Sequence, residues 1–163
     1  MPVNVQSSIE SFRDYFGAYH HHKEQMAYAA ASLYLAGSTA VVFNAHDIMA
    51  VADRRPLVLV LLAATSGLAF LFVYWQLEKR EIAAGIVEAC NHLISAHQDM
   101  PANDPVAQTW RGVPLPKALT NKLTELDKDD GFLAEPKKAR NITLGAMAIW
   151  TLAAAGACCL TSG

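Results

Sequence analysis

Three long blocks without a single charge set the terms for this chain: Met26–Ala45, Leu57–Trp75 and Ile142–Leu160. Asn44 is the only strongly polar residue of the first, and Thr65 and Ser66 interrupt the second. Each block is close to the ~20 residues that carry a helix across a hydrocarbon core about 30 Å thick. A helix buried in a soluble protein of 163 residues keeps a polar face, and none of these blocks has one. Charged residues make up only 17% of the chain, against about 25% in an average soluble domain. The expected fold class is therefore all-α: an integral membrane protein with three transmembrane helices and long cytoplasmic helical extensions. Its expected segments are a cytoplasmic N-terminal helix (1–25), a first transmembrane helix (26–52), an outer turn (53–56) and a second transmembrane helix (57–77). A cytoplasmic amphipathic helix (78–99), a Pro-rich connector with a short helix (100–140) and a third transmembrane helix (141–160) complete the chain.

The flanks support this division. Tyr74 and Trp75 close the second block with rings that favour headgroup depth. A polar, partly aromatic segment of about 25 residues precedes the first block, unlike a cleaved signal. Of the 13 Lys and Arg residues, only Arg54 and Arg55 lie between the first two blocks. The positive-inside tendency then puts the N-terminus and residues 99–140 in the cytoplasm, with the 53–56 turn and the C-terminus outside. The sequon at Asn141 falls on the inner face and is expected to stay unused. A net charge of −2 gives no basic surface for nucleic acid, so the expected surroundings are the lipid bilayer and other membrane helices. Cys90, Cys158 and Cys159 form no C-x-x-C pair and no disulfide framework.

Ser7-Ser-Ile-Glu10 matches a capping box, and no proline interrupts the chain from there to Pro56. One long helix is expected from near Ser8 to near His46, with Ile9, Phe12, Phe16 and Tyr19 as an aromatic stripe on its polar end. The second block also has no stop signal. Ile82, Ile86, Cys90, Leu93 and His97 continue it as an amphipathic helix ending near Asp99-Met-Pro101. The two extensions are expected to bury the Phe12/Phe16 stripe against the Ile86/Leu93 stripe. Five prolines punctuate residues 99–140, leaving room for a short helix from Pro116 to about Asp127 with Leu119, Leu123 and Leu126 on one face.

The most conspicuous candidate chemistry is His20-His21-His22 with Glu24. Neighbouring side chains on a helix diverge by about 100°, so three consecutive histidines cannot converge on one ion. His20 and Glu24 could supply two ligands at i and i+4, and His92 and His97 could add others. The plainer reading is a wet membrane boundary, where such side chains keep apolar bodies and polar ends. Glu24 reads the same way, or as an ionisable group near membrane depth paired with Lys79 or Arg80. His46 and Asp47 read as a wet helix end. Asp127-Lys-Asp-Asp-Gly131 departs from a calcium loop, because glycine falls at the fifth position and no glutamate stands at the twelfth. No phosphate loop, nucleophile elbow or H-E-x-x-H is present. No catalytic residue, bound metal or cofactor is expected, which leans away from an enzyme.

Small residues line the blocks. Ser32, Ala36, Ala40 and Asn44 form an i, i+4 ridge on the first; Ala63 and Gly67 stand on the second, and Gly145 and Gly156 on the third. Small faces allow the close backbone approach that drives helix association in lipid. There are more of them than three helices need among themselves, so self-association or a place in a larger membrane complex is expected.

A hydrophilic helix approaching the membrane through His22-Lys-Glu-Gln-Met-Ala-Tyr28, a tight hairpin through Asp53-Arg-Arg-Pro56 and a long amphipathic inner helix form a familiar layout. From about Ser8 to Gln98 it resembles the SLATT-type small membrane proteins of bacterial conflict systems. That resemblance implies a multi-pass protein of the bacterial inner membrane acting as a pore-forming or membrane-disrupting effector. The third block, Ile142–Leu160, departs from a two-span pattern, and no functional residue is carried over. Three functions stay open: an oligomeric channel-like effector with a cytoplasmic sensor or partner-binding region, an accessory subunit of a larger respiratory or photosynthetic enzyme, and a metal-binding membrane enzyme built on the histidines.

Overall fold

A computed structural model describes residues 5–44, 47, 55–96, 106–129 and 131–160. The expected turn at Asp53–Arg54 and the expected helix stop at Asp99–Pro101 lie outside these residues, as do His46, His97 and Asp130. Along the chain come α1 (Val5–Phe43), α2 (Arg55–Ser95), strands β1 (Val106–Trp110) and β2 (Val113–Pro116), α3 (Lys117–Leu126) and α4 (Ala134–Leu160). Three of the helices, α1, α2 and α4, are long and apolar enough to cross a membrane. The chain divides within these helices into two compact units.

The apolar unit comprises Glu24–Leu77 and Ala139–Gly163. Ala27 and Ala31 of α1 pack with Val73 and Leu77 of α2 and Met147 of α4, while Cys158 meets Val41 and Val58. These pairings make α2 antiparallel to α1 and α4 parallel to it. The inward positions recur at alternating steps of three and four: 27, 31, 34, 38 and 41 on α1, and 144, 147, 151, 154 and 158 on α4. That is the 3.5-residue period of a left-handed seam. The outside of this unit is apolar. Leu33, Leu68, Leu71, Ile149 and Leu152 are each about 70% exposed or more, whereas the polar Ser38 and Ser66 are buried.

The hairpin unit comprises Met1–Lys23 and Glu78–Lys138 and is organised the opposite way. Ile9, Ile82, Ile86, Ala89, Cys90 and Leu93 form a core with Leu115, Leu119 and Leu123, and Phe12 and Phe16 pack against it. The two stripes expected to meet do so. Burial pushes the Cys90 thiol up to about 11, against the pull of the nearby Arg13 guanidinium. The short helix falls where Leu119 and Leu123 place it, at Lys117–Leu126, with both leucines buried. Pro136 sits in the first turn of α4, where a missing N–H costs nothing, so this helix begins well before the apolar block.

The connector is more than a linker, because β1 and β2 pair antiparallel within it. Trp110 opposes Val113 across a two-residue turn, Arg111–Gly112, with φ of +47° and +80°. Two successive positive φ values match the twist of a tight hairpin. Pro114 and Pro116 are tolerated because both strands of a two-stranded ribbon are edges. The hairpin is anchored on α2: Trp110 and Phe132 sit so close to Gly85 that a Cβ there would meet Trp110 Cη2 at 2.8 Å.

Arg111 is an unexpected choice for this turn. A left-handed conformation costs a non-glycine residue roughly 1–2 kcal/mol. Its side chain supplies the reason: Nη1 donates to the buried Glu81 Oε1 at 3.1 Å and Nη2 to Asp127 Oδ1 at 3.0 Å. Asparagine would suit the turn better but would leave the Glu81 carboxylate without that donor, a loss of about 1.5–3 kcal/mol for a hydrogen bond to a charged group. Arg111→Asn is therefore expected to lower the stability of the hairpin unit by about 1 kcal/mol, the excess of the lost brace over the relieved turn. Hydrogen exchange of the β1–β2 amides measures it, and slower exchange in the variant would show that the turn outweighs the brace.

Candidate functional site

The helix faces carry the arrangement most relevant to function. The predicted ridge Ser32, Ala36, Ala40 and Asn44 is exposed along its whole length, as are Ala63, Gly67, Gly145 and Gly156. A Cβ built on Gly67, Gly145 or Gly156 meets nothing within 4 Å. The residues that hold the apolar unit together are a different set on α1, Ala27, Ala31, Tyr34 and Ser38. Asn44 Nδ2 donates to Ala40 O of its own helix at 2.8 Å, so that half of the amide is spent locally.

Between the two apolar clusters lies a polar node that joins all three helices of the unit. Tyr34 Oη is 2.9 Å from Ser66 Oγ and 2.6 Å from Thr151 Oγ1. Trp150 Nε1 donates to Ser38 Oγ at 2.9 Å, and Ser38 Oγ donates in turn to Tyr34 O. Ser66 and Thr151 also donate to their own helices, at Leu62 O and Met147 O. The hydroxyls of Tyr34, Ser66 and Thr151 thus hold three protons for four short contacts, and one proton must be shared. Sequence reading singled out Ser66 as an interruption of an apolar block and missed Tyr34, Ser38 and Thr151. Their signal was the seam period of 3.5, which places all of them inward.

The histidines are dispersed. His21 and His22 are exposed and His20 is half-buried. His92 Nε2 lies 3.4 Å from Glu88 Oε1, both largely exposed, and His97 is outside the described residues. Glu24 is half-buried. Among the described residues no three His, Cys, Asp or Glu side chains gather as a metal group. Asp129 Oδ1 accepts the Gly131 amide at 3.0 Å, which makes the acidic stretch a local turn.

Two of the concave places in the hairpin unit differ in the charge of their linings. One, of about 240 Å³, lies beside Phe132 and carries the carboxylates of Glu88 and Glu135. The other, of about 250 Å³, is walled by Tyr15, Phe16 and Tyr19 of α1 and by Lys79 and Ile82 of α2. No protein family, curated protein or solved structure matches this chain.

The polar node predicts a measurable coupling. Tyr34→Phe removes the shared phenol but leaves Ser66 and Thr151 with backbone acceptors, so no donor is stranded. The expected cost is about 1 kcal/mol, within the range measured for interhelical hydrogen bonds in bilayers. Unfolding of the purified protein in mixed micelles gives this value directly. An unchanged unfolding free energy would mean that the apolar clusters alone hold the three helices.

Proposed function

We propose that this chain is a three-span protein of a bacterial inner membrane, with its N-terminus and hairpin unit in the cytoplasm. We further propose that it acts without catalysing a reaction, as an oligomeric, channel-like or membrane-perturbing effector. The observation that carries the membrane reading is the inverted polarity of the apolar unit. Leucine, isoleucine and phenylalanine face outward around three helices while serine, threonine and tyrosine hydroxyls meet inside. In water such a surface would far exceed the few hundred Å² of apolar patch that monomers tolerate. In lipid it is at rest, and the inner hydroxyls satisfy one another. The outward small-residue ridge supports assembly, because it offers a second helix close approach that the unit itself does not use. The hairpin unit is then the part that senses a signal or binds a partner. The layout shared with SLATT-type effectors agrees with this reading.

Orientation is read by labelling. With Cys159 replaced by serine, Asn121→Cys puts an exposed thiol on α3, while the buried Cys90 with its raised pKa stays inert. An impermeant maleimide is expected to label Asn121→Cys only after cells are permeabilised. Labelling in intact cells would reverse the topology.

Assembly is read by mass. The wild type in nanodiscs is expected to be oligomeric and to release a dye from vesicles. Ala36→Leu and Ala40→Leu are expected to insert normally, since leucine favours a span, but to lose assembly and release together. Retention of both in both variants would show that the ridge faces lipid. A wild type that is monomeric and causes no release would instead favour an accessory subunit of a larger membrane enzyme.

A further inference from the structure

The cleft between α1 and α2 in the hairpin unit has a composition that the effector reading does not use. Phe16, Ile82 and Val113 give it apolar walls, Tyr15 and Tyr19 bring two phenols, and among the described residues Lys79 is the only charged one in its lining. The rings are mutually braced: Tyr15 meets Phe16 edge-on at 5.1 Å, and Phe16 meets Tyr19 at 6.5 Å. Lys23 adds a second cation close by, with Nζ 5.0 Å from the centre of the Tyr19 ring. The concave place beside Phe132 in the same unit has the opposite sign, with Glu88 and Glu135 in its lining. The lining charge therefore favours an anion in the Lys79 cleft over the place beside Phe132.

Size narrows the ligand further. A volume of about 250 Å³ is below the ~300–1,000 Å³ of sites that enclose most of a metabolite. The cleft can take the end of a larger molecule whose remainder lies outside it. Lys79 follows Trp75, which closes the second apolar block, by four positions, a rise of about 6 Å along a helix. The polar layer on each side of a bilayer is roughly 5–7 Å deep, so Lys79 stands at phosphate depth. Tyrosine rings with wet hydroxyls and apolar bodies suit the same layer.

We propose that this cleft binds the headgroup of an anionic phospholipid, with the phosphate on Lys79 and the glycerol against the Tyr15 and Tyr19 rings. The site couples the hairpin unit to membrane composition. It rests on the membrane reading given above.

The test uses the full-length protein. It is first reconstituted into phosphatidylcholine nanodiscs, and then, in detergent, titrated by native mass spectrometry with phosphatidylglycerol or phosphatidylcholine of identical chains. Phosphatidylglycerol is expected to bind about fivefold more tightly at the first site, the worth of one lysine near an anionic headgroup. Lys79→Gln is expected to abolish that preference. Tyr15→Ala, at a residue 65% exposed and so harmless to folding, is expected to weaken phosphatidylglycerol binding. Lys128→Gln, on an exposed turn elsewhere in the unit, is expected to change neither. Normal reconstitution with equal binding of the two lipids, or a preference that survives Lys79→Gln, would overturn the lipid site and leave the membrane reading standing. Binding of glycerol 3-phosphate alone at the same concentrations would overturn it in favour of a soluble phosphate. Failure to enter nanodiscs at all would overturn both.

Discussion

Helices coated with leucine and phenylalanine have no reason to adhere to one another in a hydrocarbon solvent, because lipid tails are as apolar as the side chains they would replace. What can hold such helices is close backbone contact and hydrogen bonding. The apolar unit uses both in one seam. Ala27 and Ala31 let α2 and α4 approach, and one turn further on Tyr34 reaches Ser66 on one neighbour and Thr151 on the other. The node fixes register as well as proximity. A one-residue slip of α4 would move Thr151 about 100° around its axis, away from Tyr34, and take the Trp150 indole away from Ser38.

The hairpin unit is built by the opposite rule. Its core of Ile82, Ile86, Leu115, Leu119 and Leu123 excludes water. Glu81, a carboxylate buried in that unit, sets a local demand. The guanidinium that meets it comes from a turn position where glycine or asparagine would be easier, and the same guanidinium reaches Asp127 beyond α3. The hairpin, α2 and the end of α3 are thus tied at one point. The close fit of Trp110 on Gly85 supplies the apolar half of the same attachment.

How much of this was legible in the sequence follows from the scale of each signal. The three apolar blocks are twenty-residue features and survive any choice of window. The Phe12 and Leu93 stripes are helical periods over several turns, and they meet as expected. The packing face of α1 was not legible from small residues alone. A strict i, i+4 ridge such as Ser32–Ala36–Ala40–Asn44 winds about 120° around a helix over its length, whereas a 3.5-residue seam drifts only about 20° per heptad. Both patterns are written in the same alanines and serines, so only the partner helices decide between them. The hairpin was hidden for another reason. Arg-Gly is a weak turn signal beside Asn-Gly, and prolines at 114 and 116 argue against a strand unless the strand is known to be an edge.

The polar residues of the apolar unit mostly carry their own partners. Thr39, Thr65 and Thr143, like Ser38, Ser66 and Thr151, donate to a carbonyl three or four residues earlier, and Asn44 does the same with its amide nitrogen. Such back-bonding lets a hydroxyl sit in apolar surroundings without stranding a donor. It also divides the two faces of α1 by kind. On the inner face Ser38 Oγ still accepts from Trp150, and the Ser66 and Thr151 hydroxyls still meet Tyr34 Oη, so polarity there is adhesive. On the outer face the Asn44 amide nitrogen is already engaged, and Ala36 and Ala40 offer shape alone. In the assembly proposed here, contact along that ridge would come mainly from packing, with hydrogen bonding left to the Ser32 hydroxyl and the Asn44 side-chain carbonyl. Dispersion between close backbones is weak per atom and falls off within an ångström, so it holds only partners that fit along several turns. That makes the ridge selective for a partner of matching small-residue spacing, and a second copy of the same helix is the one partner certain to have it.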